Sequence, residues 1–177
     1  MLHQKAQPIV AAVLASLAFL AAGCGPSATT PTVAARVEAG DFTLNDLEGR
    51  PVRFDEVRQG KVVLLKFGAL WCGWCNKQAL EFVKLQDKLN PNEAILLEVS
   101  VQSDHPVAEV LAKAREHNLR HVIVRDTDGR VGQQYRVEFL PTLLLVDRNG
   151  RIVWRGAYTP ARKLEHLIGQ AVAKRPA

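Results

Sequence analysis

Cysteine is scarce in this chain: three in 177 residues, at Cys24, Cys72 and Cys75. A scaffold stapled by disulfides would use more, and a chain of this length buries enough apolar surface without them. A structural zinc site would want two more Cys or His ligands at suitable spacing, yet there is no second cysteine pair and His105, His117, His121 and His166 stand singly. Covalent haem attachment needs a histidine directly after the pair, and Asn76 is there. No metal or other cofactor is therefore expected. Runs of one charge are lacking too. The formal net charge is +5, but the arginines are scattered mostly one at a time from Arg36 to Arg175, which speaks against nucleic acid as a partner. Nor is there a long apolar run. Residues 9–22 form the longest, with Ser16 the only polar member. That falls short of the roughly 20 residues of a membrane helix and suits the h-region of a signal peptide. No internal repeat is visible.

Of what is present, the N-terminus explains the odd cysteine. A weakly basic start with Lys5 precedes the apolar run, and Leu20-Ala21-Ala22-Gly23-Cys24 follows it. This resembles a bacterial lipobox, in which small residues precede a cysteine that is acylated and becomes the mature N-terminus. Ala21 stands where Leu is the most frequent residue, so ordinary signal-peptidase cleavage near Ala22 or Gly23 is the alternative. The resemblance implies a lipoprotein-type signal peptide over residues 1–23 and a lipid membrane as partner through Cys24. The location it implies is the bacterial cell envelope, facing the periplasm. Residues 24–40, rich in Pro, Ser, Thr and Gly, read as a flexible tether, and residues 41–177 as the folded domain.

Within that domain, Phe42-Thr43-Leu44 and Val52-Arg53-Phe54 alternate around Leu47-Glu48-Gly49-Arg50, predicting a hairpin. Val62-Val63-Leu64-Leu65-Lys66-Phe67 reads as a strand buried on both faces. It leads into Trp71-Cys72-Gly73-Trp74-Cys75 and a helix with Ala79, Phe82, Val83, Leu85 and Leu89 inward. A second buried strand spans residues 95–101, and Val107, Val110, Leu111 and Ala114 recur at helical spacing. A short strand at Val122-Ile123-Val124 follows. Thr142 then opens a hairpin that turns at Arg148-Asn149-Gly150-Arg151, before an amphipathic helix over Leu164, Leu167, Ile168, Ala171 and Val172. The order β-hairpin, β-α-β-α-β, helical turn, β-hairpin, α predicts an α/β sandwich with an antiparallel edge. A strand ending in Cys-x-x-Cys at a helix start places two sulfurs within bonding reach, the first beside unpaired N–H groups that favour a thiolate.

Two segments narrow the reading: Phe67-Gly68-Ala69-Leu70-Trp71-Cys72-Gly73-Trp74-Cys75, and far downstream Phe139-Leu140-Pro141-Thr142. With the opening Phe42-Thr43-Leu44 and Glu48-Gly49-Arg50-Pro51-Val52, they resemble the thioredoxin-fold, TlpA-like (ResA-type) thiol-disulfide oxidoreductases, which are exported and membrane-tethered. The likeness implies a thioredoxin-like three-layer α/β sandwich with an N-terminal β-hairpin and an inserted βα unit. It implies that Cys72 attacks a substrate disulfide and Cys75 resolves the mixed disulfide. Pro141 would be the family's cis-proline, with Leu140 and Thr142 beside it forming a substrate clamp. Protein substrates carrying disulfides or thiols, and a membrane thiol reductant as electron donor, would be the partners. Trp71 is expected to pack beside the site and shield one face of Cys72, a core role being the alternative. Trp74 departs from the many relatives that carry Pro just before the second cysteine, and the dipeptide Gly73-Trp74 bears on the redox potential.

Relatives of this fold also carry a buried Asp–Lys pair beneath the resolving cysteine. Here Lys66 occupies the acidic position and Glu98 the basic one, which suggests a reversed ion pair. A Lys66 that snorkels outward, with Glu98 solvated, is the alternative. Two other functions are compatible with the fold. One is a redox-inactive tethered binding module. The other is a peroxiredoxin-like peroxidase, whose Pro and Thr pattern before the reactive cysteine is absent from Gly68-Ala69-Leu70-Trp71.

Overall fold

The computed structural model describes residues 37–101 and 105–174. The signal peptide, Cys24 and most of the expected tether lie outside the described residues. Twelve elements follow in the order β1 (Thr43–Asp46), β2 (Pro51–Arg53), α1 (Phe54–Arg58), β3 (Val62–Gly68), α2 (Gly73–Gln86) and β4 (Ala94–Val101). The second half runs α3 (Val107–Glu116), β5 (Val122–Asp126), α4 (Arg130–Gln134), β6 (Thr142–Val146), β7 (Ile152–Gly156) and α5 (Ala161–Ala173).

The strands form one seven-stranded sheet in the order β2-β1-β5-β4-β3-β6-β7. β3, β4 and β5 are parallel and joined by α2 and α3, whereas β1, β2, β6 and β7 pair antiparallel. Every residue of β3 is buried, because helices or loops cover both faces. Val63, Leu65 and Phe67 point to a core shared with Phe42, Phe54, Val99, Val124, Tyr135 and Leu144. On the opposite face Val62 and Leu64 meet Phe82 and Leu85 of α2 and Leu164 and Ile168 of α5. This is the expected three-layer thioredoxin-like sandwich with its leading hairpin and inserted βα unit.

Two local features differ from the sequence reading. Phe54, expected to end a strand, starts the short helix α1, because its ring stacks on Phe42 (centroids 4.9 Å apart) and is fully buried there. Structure also begins before Asp41: Ala39 N–H donates to Gly150 O at 2.8 Å and Ile152 N–H to Val37 O at 2.9 Å. The end of the expected tether thus lies along the β6–β7 hairpin.

The period-two alternation of β3 has one consequence for chemistry. Lys66 falls on the same face as Val62 and Leu64, and the parallel register sets it directly beside Glu98 of β4. An ammonium and a carboxylate are thereby placed in an otherwise apolar layer, at the end of the sheet where α2 begins.

Candidate active site

Cys72 is the N-cap of α2, with extended backbone, and its sulfur accepts a hydrogen bond from Cys75 N–H at 3.1 Å. The first turn of a helix has no partners of its own for its N–H groups, so this contact and the dipole favour negative charge on that sulfur. Cys72 and Cys75 form a disulfide, with Cα atoms 5.1 Å apart. Both are buried, Cys75 more deeply (2% exposed against 7%). The less buried residue of the pair is therefore the one at the helix start.

Leu140–Pro141 is a cis peptide bond. Leu140 packs against Ala69, Cys72 and Cys75, so the loop before β6 abuts the dithiol. Thr142 holds that loop from behind: its hydroxyl donates to Phe139 O at 2.6 Å while its backbone lies opposite Phe67 in β3. A groove of about 660 Å³ runs from Trp71 past Phe139 and Leu140 toward Gln133. Trp71 is 61% exposed and lines it, so the core alternative for this residue is excluded. Trp74 is 56% exposed and sits against Tyr158 (centroids 5.4 Å apart), with Lys77 Nζ 4.3 Å from its ring centre. Gly73 is exposed, and a side chain there would meet no neighbour.

Beneath the pair, Lys66 Nζ donates to Glu98 Oε1 at 2.8 Å, with the lysine side chain 2% exposed and the glutamate 13%. The snorkelling alternative is thus excluded. Lys66 Cε and Cys75 Sγ both approach the point where a Cβ on Gly68 would stand, at 3.0 and 3.5 Å. A glycine at 68 leaves that space to the lysine stem and the Cys75 sulfur. Burial alone would push the Glu98 carboxyl up, but Lys66 and His121 outweigh it and hold it at about 2.

His121 escaped the sequence reading, which treated the histidines as isolated. Its Nε2 lies 3.2 Å from Glu98 Oε2, and its ring packs edge-on to Phe82 (centroids 5.5 Å apart). An ionised carboxylate only accepts, so this nitrogen donates. The only signal was its place immediately before an apolar strand, and nothing in the sequence reveals which glutamate the pairing of β4 with β5 brings beside it. Among the described residues no group of three His, Cys, Asp or Glu converges to hold a metal, and no helix is long and apolar enough to cross a membrane.

The sheet order, the N-capping cysteine with its partner one turn on, and the adjoining cis-proline define a thioredoxin-like thiol-disulfide oxidoreductase. The chain belongs to the AhpC/TSA family, which it matches over residues 35–155. It is 34% identical to the thiol-disulfide oxidoreductase ResA of Geobacillus thermodenitrificans over 137 residues, 76% of this chain and 77% of that one. It is 28% identical to the soluble secreted antigen MPT53 of Mycobacterium bovis over 82% of both. A solved thiol-disulfide oxidoreductase from Bacteroides fragilis superposes with a TM-score of 0.63 at 26% identity, covering 73% of this chain and 98% of the other.

Proposed function

We propose that the protein is an exported reductant of protein disulfides, held to a membrane by an acylated Cys24 and recharged by a membrane thiol reductant. Cys72 attacks, Cys75 resolves, and the backbone around Leu140, Pro141 and Thr142 holds an extended substrate segment against the groove beside Trp71. The observation that carries this reading is the Cys75 N–H bond to the Cys72 sulfur at the helix start, which favours Cys72 as the ionised, attacking partner. Export is supported by the sequence of residues 1–24 and by the secreted relative named above. Gly73 and Trp74 modulate the potential by shaping the turn between the sulfurs.

In the reaction the Cys72 thiolate displaces one sulfur of a substrate disulfide and forms a mixed disulfide. Cys75, deprotonated, then forms the intramolecular bond and releases the reduced substrate. The decisive experiment is trapping. Cys75→Ser is expected to accumulate mixed disulfides on Cys72, visible as dithiothreitol-sensitive adducts, whereas Cys72→Ser accumulates none. Adducts on Cys75 instead would reverse the assignment. A potential near the thioredoxin value of about −270 mV fits a reductant, and one near −120 mV an oxidant. Cys24→Ser is expected to shift the protein from the detergent phase to the aqueous phase on detergent partition.

A further inference from the structure

On the sheet face shared with α2 and α3, directly under Cys75, lies a cavity of about 30 Å³, room for roughly two waters. The titratable groups around it are Cys75 of α2, Lys66 of β3, Glu98 of β4, Lys113 of α3 and His117 at the end of α3, with the Ser100 hydroxyl among them. Resolution requires Cys75 to give up its proton, and the partners already named are poorly suited to take it. Lys66, paired as an ammonium, has only donors. Glu98 spends one oxygen on Lys66 and the other on His121, and a carboxyl held at about 2 is a weak base at neutral pH. Lys113 donates to Glu116 at 2.9 Å. A serine hydroxyl relays a proton but does not keep it.

His117 remains. Its Nε2 is buried with no hydrogen-bond partner among the described residues. An orphaned buried ring nitrogen is costly unless water or a ligand satisfies it, and the cavity it lines, with Lys66, Glu98 and Ser100 in its wall, is polar enough to hold water. An imidazole lone pair is also the side-chain acceptor best matched to neutral pH in general.

Resting on the dithiol reading above, we propose that His117 is the terminal acceptor of the Cys75 proton, reached through water in this cavity. Cys75 Sγ passes its proton to the water, and the water passes one to His117 Nε2. The sulfur's electron pair forms the Cys75–Cys72 bond, the Cys72–substrate bond breaks, and that pair leaves on the substrate sulfur as thiolate. The protein dithiol is oxidised by two electrons and the substrate disulfide reduced by two. His117 then releases its proton to solvent, where the substrate thiolate takes one up. Lys66 stands by the developing Cys75 thiolate and stabilises it without exchanging a proton.

The test is a two-phase stopped-flow reaction of the reduced, full-length protein with a symmetric aromatic disulfide that releases a coloured thiolate. The first phase is attack by Cys72, and the second, independent of reagent concentration, is resolution by Cys75. His117→Leu and His117→Gln are each expected to lower the ratio of second to first rate roughly 100-fold at pH 7, the lower end of what a positioned proton acceptor contributes. The deficit should close above about pH 9, where a thiol ionises unaided. Glutamine can hydrogen-bond but cannot take a proton, so a wild-type second phase in His117→Gln overturns the proposal, and so does a deficit that persists at high pH. If the leucine variant does not fold, the near-isosteric glutamine variant carries the test. Absence of a first phase in the wild type would instead strike at the dithiol reading.

Discussion

Lys66 brings a buried ammonium, balanced by one carboxylate, to the cavity that Cys75 also lines. Lys66→Met is expected to raise the Cys75 thiol pKa, read by alkylation rate against pH in a Cys72→Ser background, since the cation favouring the thiolate is gone. Glu98→Gln leaves a charge in a site 2% exposed. It should lower stability by about 3–5 kcal/mol in denaturant unfolding, while Lys66→Met combined with Glu98→Leu should cost less than Glu98→Gln alone. At this scale much was legible. A lysine inside an otherwise apolar strand demands a partner, and counting along the next strand finds Glu98 (Leu97 and Val99 face the other way). His121 and His117 were not legible, because their roles depend on which atoms the folded sheet and the end of α3 bring together.

Helix α2 owes its position to more than its apolar face. Gln78, fully buried, accepts from Thr159 N–H at 2.7 Å and donates to Thr159 O at 3.1 Å, and Ala161 N–H donates to Glu81 Oε2 at 2.8 Å. With the Trp74–Tyr158 contact, these bonds clip the helix that carries both sulfurs to the loop between β7 and α5. Gln78→Ala is expected to leave both backbone groups of Thr159 unpaired and to cost about 1–3 kcal/mol in unfolding free energy. Helix α4 is tied in a similar way: buried Asp126 accepts from Val131 N–H at 3.2 Å and Gly132 N–H at 2.7 Å. The helix and strand pattern was readable from apolar spacing, down to the turn at Asn149-Gly150. The clip was not, since a glutamine on an amphipathic helix gives no sign of whether it meets water or a backbone 81 residues away.

For the whole molecule, the Glu98 network predicts a response to acid. The carboxyl sits at about 2 in the fold against an ordinary 4.5, so the native state binds fewer protons than the unfolded chain as pH falls through that window. The stability it contributes is complete above about pH 5 and is lost toward pH 2, amounting to about 3 kcal/mol at most. Chemical unfolding across this range should show that loss, and Glu98→Gln should show a flatter profile. Order of elements, the reactive pair and the odd lysine all follow from local pattern: periodicity, spacing and the cost of burying charge are properties of neighbours in the chain. Which side chains close around Cys75 is another matter. Lys66 and Glu98, with His117 across the cavity, come from two strands and the end of a helix, and His121 reaches Glu98 from just before β5. Strand register and helix docking set their distances, and those arise only when distant segments pack.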